Sequence, residues 1–369
     1  MNTLKQACLL GSTILGLSAL PAYAEEATIG NSNHEHHHDA HHHEGPSAPI
    51  SIMGDHVHDK GEWMVSYRLK HMHMDGNRQG TSDISPEDIV STISNPNAPP
   101  ATLRVVPTEM DMTMHMLGGM YGVTDKLTVM AMAMYMTKEM DHITFAGGAG
   151  TTRLGEFTTR STGWGDTSIS GIYQIYEDER HTVNINLGIS APTGSIKKED
   201  SVLTPMNTTP RLRLPYAMQL GSGTWDALPG VTYTGHSGQW GWGAQYNATI
   251  RMESENDQGY RWGNKHAVNA WASHQFNDKF TANGLVRMET MGKIKGSDTA
   301  IAAPVQTADP DNYGGETVEI GAGFIYTPNI VGMEGLEFGA DINVPVYQDL
   351  NGVQMERDWG LAMAVTYRF

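Results

Sequence analysis

Two residue patterns in this chain have the makings of coordination chemistry. The first is methionine: of 23 in the sequence, 13 fall between Met64 and Met140, and every one of them has an even number. They read His71-Met72-His73-Met74-Asp75, then Met110-Asp111-Met112-Thr113-Met114-His115-Met116, then Met130, Met132, Met134 and Met136 in strict alternation, and Met140-Asp141-His142, with Met64 and Met120 completing the set. Thioethers are soft ligands that select Cu(I) or Ag(I), whereas imidazole and carboxylate add sites suited to Cu(II). Two other readings use the same residues. Methionine is a flexible apolar filler that packs well against a plug or an inserted loop, and it also makes a polarisable wall for an apolar or aromatic solute. The interleaved His71, His73, His115, Asp141 and His142 favour a metal over simple filling.

The second pattern is Asn33 to Glu44, NHEHHHDAHHHE, with His34, His36, His37, His38, His41, His42 and His43 as candidate ligands. Nine of the 17 histidines lie between His34 and His58, among Gly, Pro, Ser and acidic residues. Such a stretch is expected to be disordered, and neutral imidazoles in it bind Cu(II), Ni(II) and Zn(II). A solvated linker is the plainer reading. An expression tag fits poorly, because the tract is interrupted by Glu35, Asp39 and Ala40.

Enzymatic chemistry finds no comparable support. A hydrolase needs a nucleophile or base beside an oriented partner, and Ser273-His274, Asp141-His142 and Asp55-His56 are only neighbours in sequence. Adjacent residues on a strand point to opposite faces, which makes them poor dyads. The expectation is a protein that is not an enzyme and that requires no cofactor, with copper ions as its candidate bound species.

The elements that must position these residues follow from composition and periodicity. Lys+Arg 24 against Asp+Glu 41, a formal charge of −17, excludes a basic nucleic-acid binder. A single cysteine excludes a disulfide scaffold, and no apolar run reaches the roughly 20 residues of a membrane helix. Lys5, the apolar stretch Ala7 to Leu20 and Ala22-Tyr23-Ala24 have the form of a signal peptide, residues 1–24, with cleavage expected after Ala24. Cys8 lies inside it, so the exported chain has no thiol. Residues 25–60 are then expected as a disordered His-rich periplasmic tail, and 61–369 as the folded domain.

That domain reads as strands of period two. Leu361, Met363, Val365, Tyr367 and Phe369 alternate with Ala362, Ala364, Thr366 and Arg368. In 239–251, Trp240, Trp242, Ala244, Tyr246, Ala248 and Ile250 share one face, and glycine and polar residues share the other. About twelve such strands, within a range of 10 to 14, are expected at 62–74, 110–121, 127–138, 164–176, 181–192, 223–234, 239–251, 264–276, 279–291, 316–327, 335–346 and 358–369. Connections after odd-numbered strands are long (75–109, 139–163, 193–222, 252–263, 292–315, 347–357), and those after even-numbered strands are mostly tight, as at Gly122 to Lys126 and Asn277-Asp278. Long loops alternating with short turns, and an apolar strand face opposite a polar one, predict an all-β antiparallel transmembrane barrel with its long loops extracellular and its turns periplasmic. Closure is required because an open strand edge in a bilayer leaves amides and carbonyls unpaired.

The stretches Gly54-Asp55-His56-Val57-His58 with Lys60 to Met64, Ser161 to Asp166, Pro192-Thr193-Gly194, Leu214-Pro215-Tyr216 with Gln219 to Gly223, and Pro345 to Leu350 resemble, in this order, a bacterial outer-membrane family. The family is labelled a putative transporter of the meta-cleavage pathway of phenol degradation. The terminal Phe369 is similar to the signal by which bacterial outer-membrane barrels are recognised for insertion. The resemblance implies an outer-membrane barrel and brings no catalytic residue with it.

Together these readings predict an outer-membrane barrel transporter or binding protein in contact with lipid and lipopolysaccharide. Its expected task is handling copper or another soft metal ion through a Met-lined inner face and the His-rich tail. The alternative is a passive channel for small hydrophobic or aromatic compounds, or a closed structural barrel.

Overall fold

The computed structural model describes residues 45–369. The chain runs through β1 (Trp63–Gly80), β2 (Val105–Thr124), β3 (Leu127–Phe145), β4 (Arg153–Trp164), β5 (Thr167–Glu177), β6 (His181–Ala191), β7 (Asp226–Ser237), β8 (Trp240–Arg251), β9 (Lys265–Asn277), β10 (Phe280–Met291), β11 (Gly315–Tyr326) and β12 (Leu336–Arg368), with a short helix, α1 (Pro86–Thr92), between β1 and β2. Eleven of the strands form one closed antiparallel ring in chain order, β12 returning to pair with β1 from Met64↔Arg368 to Gly80↔Leu350. Two further strands of the same sheet lie outside the ring: β4, which pairs with β3, and the two-residue strand Ser82–Asp83.

The ring gives twelve crossings of the wall. β12, at 33 residues, pairs with β11 up to Leu350 and with β1 from there on. It doubles back at Gly352, whose φ of +62° suits a tight turn. The two arms are tied where Arg357 N–H donates to Gln348 Oε1 at 3.0 Å and Gln348 Nε2 donates to the Arg357 carbonyl at 2.9 Å. β4 and β5 act as one crossing, since β3 pairs with β4 over Tyr135–Phe145 and with β5 over Leu127–Met132. Gly165 N–H bridges the break by donating to the Met134 carbonyl at 2.9 Å.

The polarity of the wall is that of a barrel in a bilayer. Trp63, Val65, Tyr67, Leu117, Ile169, Tyr173, Leu187, Trp240, Val268, Ile342 and Val365 stand exposed on the outside, Leu187 at 67%. Asn184, Thr232, Gln245, Asn269, Glu319 and Asp341 are buried on the inside. The strands on the long-loop side run further than the alternation predicts: 75–80, 105–109, 139–145 and 153–163 are ladder rather than loop. Beyond the bilayer both faces of a strand are free to be polar, so the hydrophobic signal fades while the backbone pairing continues.

Residues 45–60 are a second departure from expectation. Instead of trailing away as a tail, they are held inside the barrel near its short-turn end. Ser273 Oγ donates to the Ser47 carbonyl (2.9 Å), Gln245 Nε2 to the Met53 carbonyl (2.7 Å) and Asn184 Nδ2 to the Asp55 carbonyl (2.8 Å). Ser51 N–H donates to Asp341 Oδ2 (2.9 Å) and His58 N–H to Thr128 Oγ1 (2.7 Å). Five strands, β9, β8, β6, β12 and β3, thus supply partners to a stretch of irregular backbone that makes no ladder of its own. Gly122 permits the exit, because a Cβ there would lie 1.9 Å from the Asp59 carbonyl oxygen. The signal-peptide stretch and residues 25–44 lie outside the described residues.

The long connections build an apolar cap of their own. Tyr216, Tyr260, Ile294, Ile301, Val305 and Tyr313 form a buried cluster, with Tyr216 edge-on to both Tyr260 and Tyr313. Burial pushes the three phenols up, so they stay protonated, and Tyr216 Oη accepts from Asp298 N–H at 3.0 Å. Tyr313 Oη donates to the Thr307 carbonyl at 2.6 Å and accepts from Ala217 N–H at 3.1 Å, fastening 292–314 to 192–225.

Candidate functional site

The inner face of β1, β2 and β3 carries the methionines in cross-strand rows. The lowest row, Met64, Met120 and Met130, packs with Ile172 beneath Met53 and Val57 of the N-terminal segment. The highest, Met74, Met110 and Met140, packs against Leu214 and Met218 of the 192–225 connection. Between them Met72 lies opposite Met112, Met114 opposite Met136, Met116 opposite Met134, and Met132 opposite Gly118. Lys138 shares this face, and its Nζ donates to the carbonyls of Ala217 (2.8 Å) and Gln219 (2.6 Å), drawing the connection into the mouth. The two end rows therefore fill against a plug and an inserted loop, whereas the middle rows mix buried Met116 and Met136 with the half-buried Met72, Met112, Met114, Met132 and Met134.

The histidines do not join them. His71, His73 and His115 have odd numbers and stand on the outer face with Asp111, because neighbours along a strand project to opposite sides. His71 Nε2 and His73 Nδ1 lie 3.3 and 3.0 Å from Asp111 Oδ1, and both rings pack on Trp359. His73, Glu109 and Asp111 come close enough to share a cation, but on the outside of the wall, away from every thioether. Asp141 also faces outward, bonded to Thr158. The expected mixed site of Met, His and Asp is thus divided by the wall itself, and only His142 lies on the methionine face. His34, His36, His37, His38, His41, His42 and His43 lie outside the described residues.

His142 belongs to a different constellation. It is 4% exposed and stacks on Phe157 of β4, with ring centroids 4.6 Å apart and planes 8° from parallel. The pair opens onto a cavity of about 280 Å³ at the long-loop end, between the strand tops and the connections 192–225 and 292–314. Its walls are Val105, Phe157, Val202, Leu203, Pro205, Leu212, Leu214, Pro215, Ala303 and Val305, with His142, Thr159, Thr204 and Arg213 as the polar members. Three buried polar atoms there have no hydrogen-bond partner: His142 Nδ1, Thr159 Oγ1 and Arg213 Nε. Nη1 of the same guanidinium donates to Asp298 at 2.9 Å and to Gln258 at 3.2 Å. Apolar walls with a few convergent polar groups are the usual form of a small-molecule site.

Sequence reasoning selected His142 with the methionines of the mouth and did not select Phe157, Thr159 or Arg213. Phe157 and Thr159 lie in a segment read as loop, and Arg213 reaches the cavity through a connection with no periodicity.

No curated protein matches the chain in sequence. Among solved structures, an outer membrane channel from Pseudomonas putida F1 is similar over 88% of this chain and 100% of its own, at 14% identity and a TM-score of 0.56. The Ralstonia pickettii toluene transporter TbuX is similar over 84% of this chain and 90% of its own (12% identity, TM-score 0.45), and a Pseudomonas aeruginosa FadL homologue over 83% and 90% (9% identity, TM-score 0.44). At these identities the first likeness is one of fold. The family described as "Putative MetA-pathway of phenol degradation" matches residues 136–356, from the middle methionine rows to the second arm of β12. With more than half of its length matched, and with the closed antiparallel barrel that the family resemblance implied, the chain belongs to that family.

Proposed function

We propose that this protein is a passive outer-membrane channel for small apolar solutes, above all single-ring aromatics. The observation that carries the reading is the succession of an apolar mouth cavity and a methionine-lined wall along one side of the lumen. Thioether side chains make favourable contacts with aromatic rings and adapt to several shapes, which suits passage better than fixed binding. The long-loop end is then extracellular, and the N-terminal segment occupies the periplasmic end. Uptake of radiolabelled toluene by cells whose outer membrane contains the barrel, against cells without it, tests this. Faster uptake is expected; equal uptake would remove the channel reading.

Soft-metal binding is the second reading, favoured by the in-register row Met74, Met110 and Met140 and by the Met72–Met112 pair. It is tested by Cu(I) titration of the protein against a competing chelator, with Met112→Leu plus Met132→Leu as the variant. Unchanged affinity in the variant would confine any metal binding to other residues, including the His-rich tract.

A further inference from the structure

We propose that the outer face of the wall carries a divalent-cation site for an ion of the Zn(II) class, built from His73 of β1 with Glu109 and Asp111 of β2. The three residues offer one imidazole nitrogen and two carboxylate oxygens that all lie within 4.8 Å of one another. The ladder dictates the meeting: His73 lies directly opposite Asp111, and Glu109 lies opposite Asp75, one outward position further along. All three have odd numbers, so they project to the same side as Tyr67 and Leu117 and away from the lumen. The site is therefore separate from the methionine rows and independent of what passes through the barrel.

Geometry and donor chemistry choose the ion. His73 Nδ1 is 3.0 Å from Asp111 Oδ1, close to the roughly 3.3 Å edge of a tetrahedron whose metal–ligand bonds are about 2.05 Å. An ion that replaces this hydrogen bond needs only a small adjustment of the two side chains. His71 braces the carboxylate from the other side, with Nε2 3.3 Å from Asp111 Oδ1 and Nδ1 2.9 Å from Thr113 Oγ1. When the Thr113 hydroxyl donates to Nδ1, Nε2 carries the proton and donates to Asp111, which is how outer-shell groups orient a metal-binding carboxylate. The imidazole favours Zn(II), Cu(II) or Ni(II) over magnesium and calcium, which prefer oxygen alone. Two carboxylates balance the charge of such an ion. The His73 and Asp111 side chains are 21% and 42% exposed, so an ion reaches them from outside and water can complete its coordination.

Zinc titration calorimetry of the exported chain, residues 25–369, in detergent tests the assignment, with the seven histidines of the 34–43 tract replaced by glutamine to silence that stretch. One zinc ion per barrel is expected, with magnesium bound far more weakly. His73→Gln and Asp111→Asn each remove a ligand and should weaken zinc at least about a hundredfold, and Thr113→Val, which only unseats His71, about tenfold. Asp111→Asn carries the test if His73→Gln fails to assemble. Trp359 supplies a second readout, since its ring centroid lies 5.1 Å from that of His71 and 5.7 Å from that of His73. Cu(II) bound at the site should quench this indole, and Trp359→Phe should remove that part of the quenching. No zinc binding, unchanged affinity in both ligand variants, magnesium binding as tight as zinc, or identical quenching in Trp359→Phe would overturn the site. Zinc lost in Met112→Leu plus Met132→Leu but kept in His73→Gln would place the ion in the lumen and overturn it as well.

Discussion

The two sides of the lumen solve the same problem with opposite chemistry. On β1 to β3 the inner wall is largely methionine, held by contact and free to change shape. On β9 to β12 it is ionic: Glu289 meets Lys265 at 3.0 Å and Arg287 at 2.8 Å, and Glu319 pairs with Arg357 while accepting from Asn343 Nδ2 at 2.8 Å. Ion pairs in a confined lumen are directional and lose much when one member goes, whereas thioether packing degrades gradually. The difference implies a rigid half that fixes the cross-section of the barrel and a compliant half that adapts to whatever packs against it.

The largest expected effect falls on the ionic side. Glu319 is 4% exposed, and Glu319→Gln leaves Arg357 without its counter-charge, at a cost of about 3–5 kcal/mol. The temperature at which the barrel loses its compact gel mobility should fall, and an unchanged transition would show that the charged wall is not what rigidifies it. Next comes the methionine that has lost its freedom. Met140 is 1% exposed against Leu214 and Met218, so Met140→Ala should cost about 2–4 kcal/mol and loosen the 192–225 connection, read by hydrogen exchange there.

A third test separates the plug from both walls. Burial first, and then the neighbouring His56, lower the pKa of His58 to about 4 from its ordinary 6.5. Its ring is 3.2 Å from Glu62, and the charge of Arg368 also reaches it. The seated segment keeps this imidazole neutral while a released one protonates near 6.5, so the stability it contributes is present above that pH and declines as pH falls from 6.5 toward 4. His56, raised mainly by Asp55 against its own burial, works in the opposite sense above 6.5. Conductance in planar bilayers should therefore rise between pH 6.5 and 4, and His58→Gln should flatten that rise. The smallest effect belongs to the middle rows: Met112→Leu plus Met132→Leu conserves volume, and each change should cost under about 1.5 kcal/mol in the same thermal assay. A large loss there would show the compliant half to be as fixed as the ionic one.

Much of the fold was legible because a membrane barrel writes its two faces in alternate residues. Trp240 to Ile250 against Gln239 to Arg251 is enough to orient a strand, and the twelve expected strands correspond to the twelve crossings. Alternation is silent wherever lipid is absent, which is why Arg153 to Gly163 read as loop and why the seating of residues 45–60 was not foreseen. The methionine rows were placed correctly on the inside by parity. The same parity, applied to His71, His73 and Asp111, already put them outside, and the mixed metal site fails on that count. The cavity was illegible for another reason: Val105 and Phe157 on two strands meet Arg213 and Val305 of two connections, and that meeting is set by tertiary packing alone.

The N-terminal segment runs without interruption into β1 at Trp63, whose strand forms the closing seam with β12. Residues 45–62, at about 3.3 Å each, make a leash of roughly 60 Å, longer than the bilayer core is thick. A segment drawn out of the lumen would therefore remain fastened beside its own vacant seat, at an effective concentration in the millimolar range. Its return would be first order, independent of how many copies the membrane holds, so each channel would carry its own stopper and reset its own opening.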